Sequence, residues 1–230
     1  VRGRRHGQRH HHRAALTPLV AGVDVGLRAA DVVLLEGARA RHVRARSPDE
    51  VAALLREHRP ACVAIDGPPR FRPPGTPVRA AERELLRRGV GLFVTPPEPV
   101  GRHHPFYAWM RASIAVWAAV RRAGYPPGHD PRAALGRAVE TFPHAVAVCL
   151  HGCVPPRQAG PLRRAWRAAA LRAASVDTAP LRTLDALDAA LCALCAARLV
   201  AGEGSALGGA PDGAIMLPVR EPPERFPACA

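Results

Sequence analysis

The sequence contains no lysine and no asparagine, so all 33 of its basic side chains are arginines. It has no uninterrupted apolar run of about 18 residues, the length a membrane-crossing helix needs. It also lacks the layout of a secretory leader, because its basic start is followed by only a short apolar segment that runs into Asp24. These absences exclude an α-helical membrane protein and make the cytoplasm the expected compartment. The missing lysine, beside abundant alanine and proline, reads as the coding bias of a GC-rich genome. The net charge of +14 therefore permits a polyanionic partner such as nucleic acid without demanding one. Five of the arginines (Arg2, Arg4, Arg5, Arg9, Arg13) lie in the first 19 residues, which hold no acid, and the remainder is basic without them.

What is present is ordinary for a globular chain: 230 residues, 48% hydrophobic and 23% charged. That length suits one large domain, or one domain with a long insertion. Residues 1–19 are basic, His-rich and low in complexity, and are expected to be disordered. They read as a mis-assigned translation start in preference to an arm that grips phosphates. Residues 20–220 are expected to form the domain, and the Pro/Glu-rich residues 221–230 to fray. Of the six cysteines, Cys149-Leu-His151-Gly-Cys153 and Cys192-x-x-Cys195 have spacings that soft zinc ligands use. The second pair lies in a helical Ala/Leu segment without a knuckle-forming glycine, so buried free thiols are expected rather than zinc or disulfides.

From Val20 the pattern becomes regular. Val20-Ala-Gly-Val-Asp24-Val-Gly26 reads as a strand, and Ala30–Leu35 and Ala40–Ala45 as two more, joined through a turn at Gly37. Ser47-Pro48-Asp49-Glu50 is a helix start with a capping box. Ala61-Cys-Val-Ala-Ile65 is a buried-type strand that ends at Asp66-Gly67. The first 70 residues thus read β-β-β-α-β, with an aspartate closing the first and fourth strands. Beyond them the pattern predicts a helix opened by Thr76-Pro77 and closed at Gly89, and a short strand over 91–94. A long helix follows from about Phe106 to Arg122, then a strand over 137–143 carrying Glu140. Two Ala-rich helices near 163–174 and 181–201 and a last strand over 213–217 complete the chain.

Ligands of open α/β sheets gather at strand ends, so acids that end neighbouring strands can converge. Converging carboxylates repel unless one is protonated or a cation joins them. Such oxygen-rich sites suit Mg²⁺ or Mn²⁺. On the last helix, Leu184, Leu187, Leu191 and Leu194 share an arc that Cys192, Cys195 and Leu199 extend, and Asp188 falls among those three. A carboxylate aimed into apolar packing is costly unless paired or metal-bound. Asp185 sits at the margin of the arc, where it could equally be a solvated acid of the first turn.

Gly22-Val-Asp24, Ala64-Ile-Asp66-Gly-Pro68, Arg79-Ala-Ala-Glu82, Thr95-Pro96, Trp109-Met110, Glu140-Thr-Phe-Pro143 and Leu184-Asp185-Ala-Leu-Asp188-Ala, in that order, resemble domain-of-unknown-function family 429, described as predicted nucleases of RNase H-like fold. The likeness spans residues 20–218. It implies an RNase H-like mixed sheet flanked by helices, with a helical insertion and C-terminal helices. It further implies a metal site of Asp24, Asp66 and Asp188, with Glu140 a fourth catalytic acid. Arg79 and Glu82 match a motif without an assigned chemical role, and a surface i,i+3 pair would explain them equally well. The expected activity is metal-dependent hydrolysis of nucleic acid, with Arg79 as an electrostatic aid to the phosphate. The alternatives are a nucleotide- or phosphate-binding relative of the actin/sugar-kinase fold, or a non-catalytic interaction module.

Overall fold

Short apolar runs ending in a polar residue or a turn become the centre of a seven-stranded sheet. The computed structural model describes residues 17–156 and 160–229. Most of the expected disordered tail, residues 1–16, lies outside them. Leu19 already belongs to the frame: it packs against the core, and its carbonyl accepts a 2.7 Å bond from the Ala61 amide.

Strand β1 (Val20–Val25) is where the sheet changes from antiparallel to parallel pairing. It pairs antiparallel with β2 (Ala30–Glu36), which pairs antiparallel with β3 (Arg39–Ala45). On its other side β1 runs parallel to β4 (Val63–Asp66), β4 to β5 (Ala138–Thr141), and β5 to β7 (Gly213–Leu217). The antiparallel edge strand β6 (Ser205–Gly209) completes the order β3-β2-β1-β4-β5-β7-β6. The β-β-β-α-β start and its strand order are those of the expected RNase H-like fold.

Helices cover both faces, which is why the central strands are buried on both sides. On one face lie α1 (Pro48–His58), capped by Ser47, and α4 (Ala108–Arg122). Their Leu55, Val116 and Val120 pack on Val23, Val32 and Ile65. On the other lie α5 (Pro143–His151), α6 (Gly160–Ala173) and α7 (Leu184–Val200). Their Val146, Leu171 and Leu191 pack on Val33 and Ala64. The segment between β4 and β5 also carries α2 (Ala80–Arg87), which covers β6 and β7, and α3 (Glu98–His103).

Gly22 sets the closest contact between β1 and α7. A Cβ there would stand 2.0 Å from the Ala189 carbonyl oxygen and 2.2 Å from the Ala193 amide nitrogen. Only a residue without a side chain lets the helix sit so low on the strand, and that height brings Asp188, one turn before Cys192, down toward Asp24.

Several local expectations differ from the structure. The helix expected from Thr76 begins at Ala80, with Arg79 as its N-cap and the Glu82 carboxylate reaching back to the Arg79 amide at 3.3 Å. Residues 91–94 form no strand, and Phe142-Pro143 opens α5 instead of extending β5. The strand β6 and the helix α3 carry too short a periodic signal to be read from sequence. Residues 221–229 are fastened rather than frayed. Phe226 is buried and its amide bonds the Arg88 carbonyl at 3.0 Å, while Cys229 forms a disulfide with Cys153. That bond corrects the expectation of thiols for these two residues. Cys62, Cys149, Cys192 and Cys195 are free.

Candidate active site

The strand register builds the first part of the site. Val23 pairs with Ile65 across the parallel β1–β4 ladder, so Asp24 and Asp66 are the next residues on adjoining strands and project to one face. That face is the one α7 covers, because Gly22, two residues before Asp24, points into α7. The loop after Asp66 is held from the opposite side. Trp117 Nε1 donates to the Gly67 carbonyl at 3.0 Å, and Ser113 Oγ to the Pro68 carbonyl at 3.0 Å. Gly67 needs its φ of +114°, and a Cβ there would meet Ser113 Oγ at 2.8 Å.

The two half-buried carboxyls are close neighbours at adjoining strand ends, and each acts on the other's proton affinity. Burial raises the Asp24 pKa well above the usual range, and repulsion from Asp66, Asp188 and Asp185 raises it further. Asp66 is pushed up to about 7, by burial first and then by Asp188. Burial also lifts Asp188, against the pull of Arg167. The buried Cys192 thiol, one turn beyond Asp188, is pushed up by burial and then by all three acids, so it lies beside them. The exposed Asp185 contributes only field.

Sequence reasoning missed Arg167. Its Nε donates to Asp188 Oδ1 at 2.5 Å, and its Nη1 lies 3.2 Å from Nδ1 of His144. Burial, then Arg167 and Arg163, push His144 down to about 4, so the imidazole stays neutral and accepts that bond. A signal was available: Arg167 stands three and four residues before the buried Ala170 and Leu171, on the packed stripe of α6. A buried arginine so placed requires an anion.

Glu140 does not join the other acids. It pairs in register with Ile65, one residue out of phase with Asp66, so it faces the opposite side of the sheet. There it takes both ends of the Arg79 guanidinium, at 2.7 and 2.6 Å, while Arg79 Nε donates to the Asp212 carbonyl at 3.1 Å. Arg79 is only 2% exposed, so it is not presented to a substrate phosphate. Glu82 accepts from the amide and hydroxyl of Thr95 and also neighbours Arg79 at 3.6 Å. These residues form a buried latch, distinct from the acid cluster.

The donor set of Asp24, Asp66 and Asp188 is all oxygen, as hard divalent cations prefer. Among the described residues no three His, Cys, Asp or Glu side chains stand in the arrangement of a metal site. Asp24 and Asp66 face one another while Asp188 turns to Arg167.

The molecule is thus a mixed α/β protein of RNase H-like fold, with acids at the ends of its adjoining parallel strands β1 and β4. Residues 22–212 match the family model "Protein of unknown function (DUF429)", and the chain belongs to that family. Two solved structures show a distant similarity. RuvC of Thermus thermophilus is 18% identical, with a TM-score of 0.44, covering 86% of this chain and 99% of its own. The same organism's RuvC in complex with a Holliday junction substrate is 17% identical, again with a TM-score of 0.44, covering 80% and 95%. No curated protein matches the chain. No helix among the described residues is long and apolar enough to cross a membrane.

Proposed function

We propose that the chain is a divalent-metal-dependent phosphodiesterase acting on nucleic acid, with Asp24 and Asp66 as the primary ligands of Mg²⁺ or Mn²⁺ and Asp188 as the third. The observation that carries this reading is the juxtaposition of Asp24 and Asp66. Two half-buried carboxyls, aligned by strand register at adjoining strand ends, repel one another, and a cation would relieve that repulsion. Bound there, the ion would polarise a phosphodiester and acidify a bound water.

The remaining work falls to the chain itself. The β1–β4 register fixes the spacing of Asp24 and Asp66, and α7 delivers Asp188 through the Gly22 contact. Arg167 balances Asp188 until a ligand draws that carboxylate toward the pair. Arg163, exposed one turn earlier on α6 and near enough to act on Asp188, is placed to meet a phosphate oxygen. The basic surface supplies the long-range attraction to a polyanion.

The same Arg167–Asp188 pair favours one second reading: a nucleic-acid-binding module in which the guanidinium is a permanent counter-ion and no metal binds. Thermal melts with and without Mn²⁺, together with cleavage of labelled DNA and RNA, separate the two. The nuclease reading expects Mn²⁺ to raise the parent's Tm and support cleavage, and expects Asp24→Asn to lose both. A parent indifferent to Mn²⁺, or an Asp24→Asn variant that keeps the response, would overturn it in favour of the module.

A further inference from the structure

On the sheet face opposite α7, beside the last residue of β4, lies a cavity of about 410 Å³ whose use the acid cluster does not explain. Its volume is in the range of small-molecule sites, about 300–1,000 Å³. Asp66, at the strand's end, contributes to its rim, so an occupant would sit near the strand-end acids. The walls are aromatic: Phe93, Phe106, Trp109 and Phe142. Phe93 and Phe106, in edge-to-face contact at 5.5 Å, are 69% and 49% exposed, so large parts of both rings face solvent.

The polar side chains of the lining are mostly spoken for. Glu140 is held by Arg79, Glu82 binds Thr95, and the Thr141 hydroxyl donates to the Met216 carbonyl. An occupant is therefore held by stacking and shape rather than by hydrogen bonds. Next to the cavity runs a second cleft lined by Arg70, Arg72 and Arg102, and the two share a wall through the 3.1 Å bond from Arg72 Nε to the Thr95 carbonyl. Arg102 is paired with Glu98. Arg70 and Arg72 donate only to carbonyls, of Pro211 and Thr95, and among the described residues no carboxylate pairs with either. Uncancelled positive charge beside an aromatic slot matches a nucleotide, with its planar base next to its phosphate.

We infer that this cavity receives one unstacked base of a single-stranded nucleic acid, with the flanking phosphate on Arg70 and Arg72. The inference rests on the nucleic-acid part of the proposed function and adds a subsite to it. Because most polar groups of the lining are already engaged, capture is chiefly by stacking and tolerates any base, a larger purine most. Removing a base–aromatic stack typically weakens binding by about ten-fold or more.

The test is binding of the full chain, in EDTA so that nothing is hydrolysed, to a short DNA strand with one 2-aminopurine, and to the same strand with an abasic site at that position. The expected result is a fluorescence change on binding and affinity about ten-fold weaker for the abasic strand. Phe93→Ala and Phe106→Ala, both at exposed positions, should each lose that advantage while keeping the parent's Tm and its affinity for the abasic strand. Equal affinity of the parent for the two strands, or variants that bind both as the parent does, would overturn the subsite. So would displacement of the strand by adenosine monophosphate at equal affinity, which would make the ligand a free nucleotide. Base-dependent binding without any Mn²⁺ response would keep the subsite and sink the nuclease chemistry. A Mn²⁺ response with equal binding of the two strands would do the reverse.

Discussion

Replacing Asp66 by asparagine tests the acid cluster most directly, because the parent should carry a stability cost that the variant lacks. In the folded protein the Asp66 pKa is about 7, against an ordinary value of 3.8. Its folded pKa lies above its unfolded one, so between those values the native state holds a proton that the unfolded chain has released. Metal-free stability must therefore fall as pH rises from about 4 to about 7, and stay low above that. A tenfold change in proton affinity is worth about 1.36 kcal/mol, so the cost at pH 8 is on the order of 2–4 kcal/mol after allowing for partial solvent contact. Asp66→Asn removes the charge and keeps a hydrogen-bonding group for Asp24. At pH 8 in EDTA the variant should melt roughly 5–10 °C above the parent, and at pH 5 the gap should close or reverse. Mn²⁺ at pH 8 should then raise the parent and leave the variant unmoved. Calorimetry or fluorescence melts across pH, with and without metal, measure this. A variant less stable than the parent at pH 8, with its Mn²⁺ response intact, would refute the reasoning and return Asp66 to an ordinary strand-end aspartate.

Gly22→Ala should cost at least about 3 kcal/mol in thermal or denaturant unfolding, since the new methyl meets α7 backbone that cannot give way. Arg79→Met should cost about 3–5 kcal/mol by leaving Glu140 buried and unpaired, and the double variant Arg79→Met, Glu140→Met should recover most of it. Arg167→Ala should lower the Mn²⁺ concentration needed for half-maximal stabilisation, because Asp188 loses its competing cation; a higher requirement would show that Arg167 supports the site instead. Reducing the Cys153–Cys229 bond, or Cys229→Ser, should cost about 2–4 kcal/mol through the 76-residue separation it closes.

The parts of the molecule legible in the sequence are those set by local pattern. Strand β1, the β2–β3 hairpin, the Ser47 cap and the apolar run before Asp66 all announce themselves within a few residues, and with them the two acids at strand ends. Asp188 is legible because helical periodicity places a charge inside an apolar arc. Glu140 departs from expectation for a long-range reason. Its strand is plain in the sequence, but the face it presents depends on pairing with Ile65 of β4, 75 residues upstream, and a one-residue offset reverses it. Arg79 follows Glu140: as a helical i,i+3 neighbour of Glu82 it resembles a surface pair, and only the folded chain shows the second glutamate that makes it interior. The Cys153–Cys229 bond joins the turn after α5 to the C-terminal segment, a pairing that no spacing rule connects.

The buried latch of Arg79, Glu140, Glu82 and Thr95 has a mechanical meaning. The chain between β4 and β5 leaves the sheet at Asp66 and re-enters at Ala138, and a crossover of that length could swing on its two ends. Instead it is bolted at Gly67 and Pro68 by α4, and at Glu140 by Arg79, the N-cap of α2. The aromatic slot and the carboxylates are thereby parts of one mount, anchored where the crossover leaves β4 and enters β5. A strand seated in such a mount would be cut at one set step from the seated nucleotide. The signature of the insertion would then be read in the lengths of the fragments rather than in the speed at which they form.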